Sequence, residues 1–342
     1  MGTASLGVSL PKEWLEHYGL KHGDEVEVEI LPDYTLLIKP SLSRSAISDN
    51  CRVLRYDDNA PNESIMKLIS LYLNGIDPIR VVCGNYCSSF KEKVYRVIEK
   101  NVVGLEVVDE GRGYITLACL ADASSLPLSK VLRKMGTLIP VLLRDLRSAM
   151  ETGEFLDMEE RDSLLDRLYL YALRQLNMVM SGRLLLEKTG LRSMSEAIPI
   201  ANLLKTLERI GDHIVQLHDW FTGARREGRA LNNVITALDE IIPVAEMILN
   251  GYLVALKNPD KMLSIERTVS ELKTVEERVR ALDLDAVPLV NITRIIAYLM
   301  DIVEMVTDII VGREQEGVAC GEGPIEEPAN SQRSHSSLRY SP

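Results

Sequence analysis

Pairs of acidic residues one helical turn apart are the groups in this 342-residue chain whose types and spacing could do chemistry. Glu208 and Asp212 lie in the segment LERIGDHIVQL, whose apolar residues recur with the period of an amphipathic helix. Positions i and i+4 are neighbours on one helix face, so the two carboxylates repel each other. A hard cation that prefers oxygen ligands, such as Mg²⁺, Ca²⁺, Mn²⁺ or iron, would compensate that repulsion.

An internal repeat places the same pair a second time. LERIGDHIV at residues 207–215 aligns without gaps with VEMVTDIIV at residues 303–311, and the apolar positions match as well. The alignment pairs Glu208 with Glu304 and Asp212 with Asp308. The repeat therefore predicts two related sets of helices.

A neighbouring helix carries a further pair, Asp162 and Asp166, in the segment RDSLLDRLYLY. The corresponding helix of the second set has Glu266 and Ser270 at these positions, so the second set is short of one carboxylate. Helices that pack on their apolar faces would bring such carboxylates together along the seam. The candidate metal ligands are Asp162, Asp166, Glu208, Asp212, Glu266, Glu304 and Asp308.

Ordinary solvated helix faces are the alternative for these acidic pairs. Lys205, Arg209 and Arg167 are close enough in sequence to form exposed ion pairs, which are common and contribute little. His213 projects to the polar side of its helix, which predicts a solvated side chain rather than a ligand. The residues alone leave both alternatives open.

Long amphipathic helices must position these groups. Breaks at glycine, proline and asparagine separate six helical segments with short connections, which is typical of antiparallel bundles. The predicted helices span roughly residues 127–153, 157–186, 194–222, 229–257, 260–283 and 289–312. The sequence therefore predicts a mainly α protein with two three-helix bundles, at residues 127–223 and 229–313.

Smaller units precede the helices. Residues 1–40 predict a β unit in which the strand SLGVSL leads to a short helix opened by Pro11 and then to two more strands. A unit this small rarely folds alone, so it is expected to pair with a second copy. The remaining predicted segments are a Ser-rich linker at 41–50, a β-α-β-α-β-β module at 51–122, and a disordered tail at 314–342.

Composition limits the function classes. The net charge of −11 argues against generic nucleic-acid binding, although a small basic patch could still bind. No apolar run is long enough to cross a bilayer and no signal peptide is recognised, so a cytoplasmic protein is expected. Five scattered cysteines predict free thiols in a reducing compartment. We find no convincing nucleophile or general base, so an enzyme is not expected.

The acidic helices resemble a known family. TLERIGDHIVQL and RDSLLDRLYLYALRQL are similar to the signature helices of PhoU-domain proteins, which are phosphate-uptake regulators built as two three-helix bundles. The resemblance covers roughly residues 127–313. It implies that the Glu/Asp-x-x-x-Asp motifs hold a metal, with iron, manganese, zinc and magnesium as the candidates.

The N-terminal unit resembles a different family. VSLPKEWLEHYGLKHGDEVEVEI and LLIKP are similar to swapped-hairpin domains of the AbrB/SpoVT type, a combination with PhoU known from archaeal proteins. The usual pattern has a further strand before SLGVSLPKEW, so the domain is expected to lack its first strand. Lys12, Lys21 and Lys39 are the candidate DNA contacts, although acidic residues surround them.

Together the resemblances imply a cytoplasmic regulator of phosphate uptake and signalling that acts through protein–protein contacts. The implied partners are the ATPase or membrane subunits of a phosphate ABC transporter and a phosphate sensor, with membrane attachment peripheral at most. A homodimer formed by the N-terminal unit is also expected. The alternative is a DNA-binding regulator of phosphate genes that uses an AbrB-type dimer.

Overall fold

The computed structural model confirms a mainly α protein with a small β region at its N-terminal end. It describes residues 7–30, 35–40, 51–84, 90–121, 125–154, 158–227 and 231–315. The predicted linker at 41–50 lies outside the described residues, as does the predicted tail from residue 316 onward. Residues 314 and 315 belong to the last helix, so that helix extends past the predicted start of the tail.

The N-terminal unit contains one helix and one hairpin. Helix α1 (Lys12–Tyr18) follows Pro11, which stands just before the helix rather than at its first position as predicted. Strands β1 (Val26–Ile30) and β2 (Leu36–Pro40) pair antiparallel. The predicted strand SLGVSL is wrong for residues 7–10, which are not in a strand. A strand needs a ladder partner, and the described part of this single chain places none beside these residues.

A four-stranded α/β module follows, with the predicted order of elements. The elements are β3 (Arg52–Tyr56), α2 (Pro61–Leu73), β4 (Ile79–Cys83), α3 (Phe90–Lys100), β5 (Leu105–Gly111) and β6 (Tyr114–Cys119). The strand order is β3-β4-β6-β5. Strand β3 is parallel to β4, and β6 is antiparallel to both of its neighbours, β4 and β5. Fully buried side chains such as Tyr72, Ile79 and Ile115 form its core.

The thiols of this module correct one prediction. Cys51 and Cys119 are free, whereas Cys83 at the end of β4 is disulfide-bonded. The prediction of free thiols throughout is therefore wrong for Cys83. A cysteine count describes the whole chain, but it does not tell which thiols the fold brings together.

Six long helices form the rest of the described chain, close to the predicted boundaries. They are α4 (Leu128–Thr152), α5 (Met158–Met180), α6 (Ala197–Arg226), α7 (Asn232–Ala255), α8 (Ile265–Ala281) and α9 (Ala286–Gln315). Two short 3₁₀ turns, Leu186–Lys188 and Met194–Glu196, lie between α5 and α6. The sequence predicted that one helix would continue to residue 186 and that the next would begin at residue 194, whereas α5 ends at Met180 and α6 begins at Ala197.

The two sets of three helices share one apolar core. Helices α4 to α6 contact one another, as do α7 to α9, and α6 packs along α9 while α4 packs along α7. Both α4 and α7 contain an internal proline, Pro140 and Pro243, in the similar segments LIPVLL and IIPVAE. These prolines support the internal repeat, in addition to the two alignments of acidic segments described above. Leu207 and Val303, which the repeat aligns, are both completely buried in the common core.

The α/β module is attached to the bundle through α5. Three side chains of α5 and the following turn donate to carbonyls at the C-terminal end of α2: Arg174 to Tyr72, Asn177 to Leu73 and Arg183 to Asn74. The Arg174 guanidinium also lies 4.7 Å from the centre of the Tyr72 ring. Carbonyls at a helix end lack partners within the helix, so these donors satisfy groups that would otherwise be orphaned.

Within the described residues, no helix combines the length and apolar character that crossing a membrane requires.

Candidate metal centre

Two packed helices bring three of the predicted carboxylates together. Asp166 comes from α5, and Glu208 and Asp212 come from α6 one turn apart. One carboxylate oxygen from each residue lies within 4.8 Å of the other two. We call Asp166, Glu208 and Asp212 the acidic cluster. The i,i+4 spacing supplies two of its groups, and the packing of α5 on α6 supplies the third.

Glu208 is the most buried member of the cluster. Its residue is only 9% exposed, and its two oxygens have different surroundings. Oε1 accepts a hydrogen bond of 2.6 Å from Lys205 Nζ, one turn earlier in α6. Oε2 is buried and has no hydrogen-bond partner among the described residues. A buried charged oxygen without a partner is costly, so this atom points to a ligand.

Burial and mutual repulsion disfavour the ionised form of the cluster. Burial, together with the nearby charges of Glu208 and Asp212, raises the pKa of Asp166 to about 6. Burial is also the main cause that raises the pKa of Glu208, and the charge of Asp212 adds to it against the opposing effect of Lys205. Both shifts have the direction expected for carboxylates that lack enough positive charge.

Lys205 supplies part of the missing positive charge. Its ammonium group lies 5.0 Å from the centre of the Tyr169 ring in addition to its bond to Glu208. Burial acts to lower the pKa of Lys205, but the hydrogen bond and charge of Glu208 outweigh it, and the pKa is raised overall. The three carboxylates of the cluster therefore have the ammonium group of Lys205 close to them, which offsets only part of their negative charge.

The donor set fits a hard divalent cation. All three groups offer carboxylate oxygen, which Mg²⁺, Ca²⁺ and Mn²⁺ prefer. Oxygens on opposite sides of such an ion are separated by about 4–5 Å, given metal–oxygen distances of about 2.0–2.6 Å. The carboxylate oxygens of the cluster lie within 4.8 Å of one another, so one ion could contact all three residues.

The other predicted ligands are placed differently. The side chain of Asp162 is not among those described, so its membership of the cluster stays a prediction. Glu266, Glu304 and Asp308 are exposed, and the described residues contain no second group of three potential ligands with comparable spacing. The structure thus gathers three of the four predicted carboxylates of the first bundle, whereas its described residues show no comparable cluster in the second.

His213 corrects a further prediction. Its Nδ1 lies 2.6 Å from Asn291 Oδ1 on α9, and its ring is 5.6 Å from the ring of Tyr298. The side chain is therefore at the contact between the bundles rather than solvated. The helical pattern placed His213 on the polar face of α6, but α9 packs against that face.

The candidate DNA contacts have ordinary surface surroundings where the structure describes them. Lys12 is exposed and pairs with Glu16 at 3.4 Å, within α1. Lys21 is exposed, and its backbone N–H donates to the carboxylate of Asp24 at 2.7 Å. The side chain of Lys39 is not described.

Sequence reasoning missed the pairing of Glu196 with Arg313. Arg313 at the end of α9 donates to both oxygens of Glu196 at 2.5 and 2.9 Å, and both side chains are at most 9% exposed. The two residues are 117 positions apart, and no local pattern indicates their contact.

The described structure thus combines helical bundles that hold a carboxylate cluster with a small hairpin unit that precedes them. A family model described as PhoU domain matches residues 132–221, which cover most of α4 to α6 and the whole acidic cluster. A second model, described as Antidote-toxin recognition MazE, bacterial antitoxin, matches residues 1–45. The chain therefore combines a MazE/AbrB-like domain with a PhoU domain, as the resemblances predicted. Neither the comparison with curated proteins nor that with solved structures gives a significant match.

Proposed function

We propose that this protein is a PhoU-type regulator of phosphate uptake that works by binding other proteins and carries a metal ion in the acidic cluster. The PhoU match over residues 132–221 supports the class of function. The single observation that carries the metal site is the buried, unpartnered Oε2 of Glu208 beside two further carboxylates. We propose no enzymatic activity, and the partners are phosphate ABC transporter subunits and a phosphate sensor.

The residues of the cluster would have distinct tasks toward the metal. Glu208 would bind through Oε2, since Oε1 is already held by Lys205. Asp212 and Asp166 would supply the remaining protein oxygens, and α5 and α6 would stay fixed relative to each other through the shared ion. A bound cation would offset the repulsion among the carboxylates and leave further coordination positions for a phosphate oxygen or for an acidic group of a partner.

Elemental analysis of natively purified protein tests the site. We expect a divalent or trivalent metal in the wild type and its loss in the double variant Glu208→Gln, Asp212→Asn. The double variant Glu304→Gln, Asp308→Asn is a matched control, because it makes the same changes at the repeat positions. Unchanged metal content in the first variant would refute the assignment.

A capture experiment tests the partner. Immobilised full-length protein is expected to retain the ATPase subunit of a phosphate transporter from a lysate of the source cells. Failure to retain any transporter subunit, with the metal site intact, would argue against regulation of uptake by direct contact.

DNA binding is a second candidate function, favoured by the match of residues 1–45 to the MazE model. A dimer is consistent with the exposure of Val28, Ile30 and Leu36 on the hairpin, since a second copy would cover them. Against it, residues 1–40 contain three lysines and seven acidic residues. A gel shift with the protein's own promoter region, repeated at increasing salt, is the test; absence of any shift at low salt would refute this function.

A further inference from the structure

A second concave site lies at the end of the bundles where α4 and α6 begin and α7 and α9 end. It is a cleft of about 290 Å³ with a floor of apolar side chains, among them Leu132, Ile200 and Leu256. Glu208 is eight residues further along α6 than Ile200, so the acidic cluster is roughly 12 Å away along the helix. The cleft is therefore separate from the candidate metal centre.

Three positively charged side chains surround the cleft. Arg133 comes from α4, Arg192 from the loop before α6, and Lys257 from the residues after α7. All three are exposed, and none has an ion-pair partner within the described chain, whereas Arg144, Arg147 and Arg278 elsewhere are each paired with a carboxylate. In a chain with a net charge of −11, this cleft is a local region of opposite sign.

A buried ion pair fixes the wall of the cleft. Arg313 lines it, but Glu196 neutralises its charge, and Arg313 also donates to the carbonyl of Leu256. Glu196 accepts in addition from the backbone N–H of Arg192 at 3.2 Å. These contacts tie together the ends of three helices and the loop that carries Arg192. Arg192 and Lys257 are thus presented from segments that these contacts hold together.

The start of α4 adds a further positive element. No side chain caps this helix and its first turn contains no acidic residue. The backbone N–H of Leu128 donates to the carbonyl of Thr189, so the following loop crosses the helix start. Gly190 in that loop has φ +81°, and an added Cβ there would lie 3.4 Å from Ser129 Oγ. The N–H groups of Leu128 and Lys130 already donate to carbonyls, so the helix start contributes only a residual partial positive charge beside Ser129, which lines the cleft.

We propose that this cleft binds a small phosphate-bearing anion with at least two negative charges, such as pyrophosphate or a phosphate monoester. Three unpaired cations and a helix start exceed what a single carboxylate would neutralise, and arginine matches the geometry of phosphate oxygens. The proposal does not depend on metal binding or on the identity of a transporter.

Isothermal titration of the full chain with pyrophosphate tests the proposal. Buffer with a chelator removes metal, so that the acidic cluster does not bind the probe through an ion. We expect saturable binding that weakens with added salt, and weaker binding of orthophosphate because it carries fewer charges. Adenosine monophosphate is titrated separately to distinguish an ester ligand from an inorganic one.

Charge reversal at exposed positions identifies the site without disturbing the core. Arg133→Glu, Arg192→Glu and Lys257→Glu are each expected to weaken pyrophosphate binding by about tenfold or more. Lys134→Glu is the matched control, because Lys134 is an exposed neighbour in α4 that does not line the cleft, and less than about a twofold change is expected there.

Two results would overturn the proposal. One is that the folded wild-type chain binds none of pyrophosphate, orthophosphate and adenosine monophosphate. The other is that Lys134→Glu weakens binding as much as the cleft variants do, since that would indicate a diffuse electrostatic effect. Circular dichroism confirms that each variant is folded.

Discussion

The two helical bundles repeat the same pattern, yet they treat their carboxylates differently. In the first bundle Glu208 is buried, and Asp166 and Asp212 are within 4.8 Å of it. In the second bundle Glu304 and Asp308 occupy the aligned positions but are exposed. The spacing of two acids along a helix is therefore not sufficient to form a cluster.

The neighbouring helix accounts for this difference. Helix α5 presents Asp166 to α6, whereas α8 has the uncharged Ser270 at the corresponding position and is six residues shorter than α5. Glu304 instead lines a cleft between α6 and α9 together with Lys205 and Arg209. Asp301 lines the same cleft, so its lining contains two carboxylates and two basic side chains. A metal site needs converging acids, and the described residues show no group of three potential ligands here.

The largest expected effect concerns the connection between the bundles. Arg313→Ala removes the partner of the buried Glu196 and should lower the free energy of unfolding by about 3–5 kcal/mol. Because one core spans both bundles, chemical denaturation should show a single shifted transition. Arg278→Ala, which breaks an exposed pair with Glu240 at 3.0 Å, is the control and should cost less than about 1 kcal/mol. Two separate transitions would show that the bundles fold independently.

The acidic cluster should make the stability of the protein depend on pH. The folded pKa of Asp166 is raised to about 6 from an ordinary value of 3.8, so the folded state binds the proton more tightly. In metal-free protein, stability should therefore fall as pH rises from about 4 through about 6 and then level off, by about 1–2 kcal/mol in total once solvent screening of this half-buried group is allowed for. Asp166→Asn should remove this loss, whereas Asp308→Asn should not. The measurement is denaturant unfolding across this pH range in the presence of a chelator.

Lys205 should compete with a bound cation. Its ammonium occupies one oxygen of Glu208 and repels a metal, so Lys205→Gln should tighten Mn²⁺ binding by about three- to tenfold, or about 1 kcal/mol. Glu208→Gln should act in the opposite direction and abolish binding. Calorimetric titration with Mn²⁺ measures both. Weaker binding in Lys205→Gln would mean that the lysine supports the site rather than competing for it.

The smallest expected effect is at the missing carboxylate of the second bundle. Ser270→Asp restores the acid that the repeat lacks, but Ser270, Glu266 and Glu304 are all exposed. We therefore expect the metal content to stay that of the wild type and the free energy of unfolding to change by less than about 0.5 kcal/mol. A second equivalent of metal would show that the missing charge alone separates the two bundles.

Much of the helical architecture could be predicted because its signals are local. The apolar period of 3.6 residues and the Gly and Pro breaks placed all six long helices, and the repeat of Glu208 and Glu304 indicated two related sets. The order of elements in the α/β module followed from the same kind of signal. The predicted strand at SLGVSL was wrong for residues 7–10 because a strand depends on a partner, which local sequence does not supply.

The sequence by itself determined which acids share a helix face, since a turn of helix fixes the positions of Glu208 and Asp212. Only the tertiary structure decided which of those acids are buried, which meet a third carboxylate and which face lysine and arginine. His213 shows the same limit, because its polar face became an interface once α9 packed there. The cleft that we propose to bind a phosphate-bearing anion is assembled from chain segments near residues 129–133, 190–192, 253–257 and 313. Contacts across such distances depend on packing, and no periodicity within one helix specifies them.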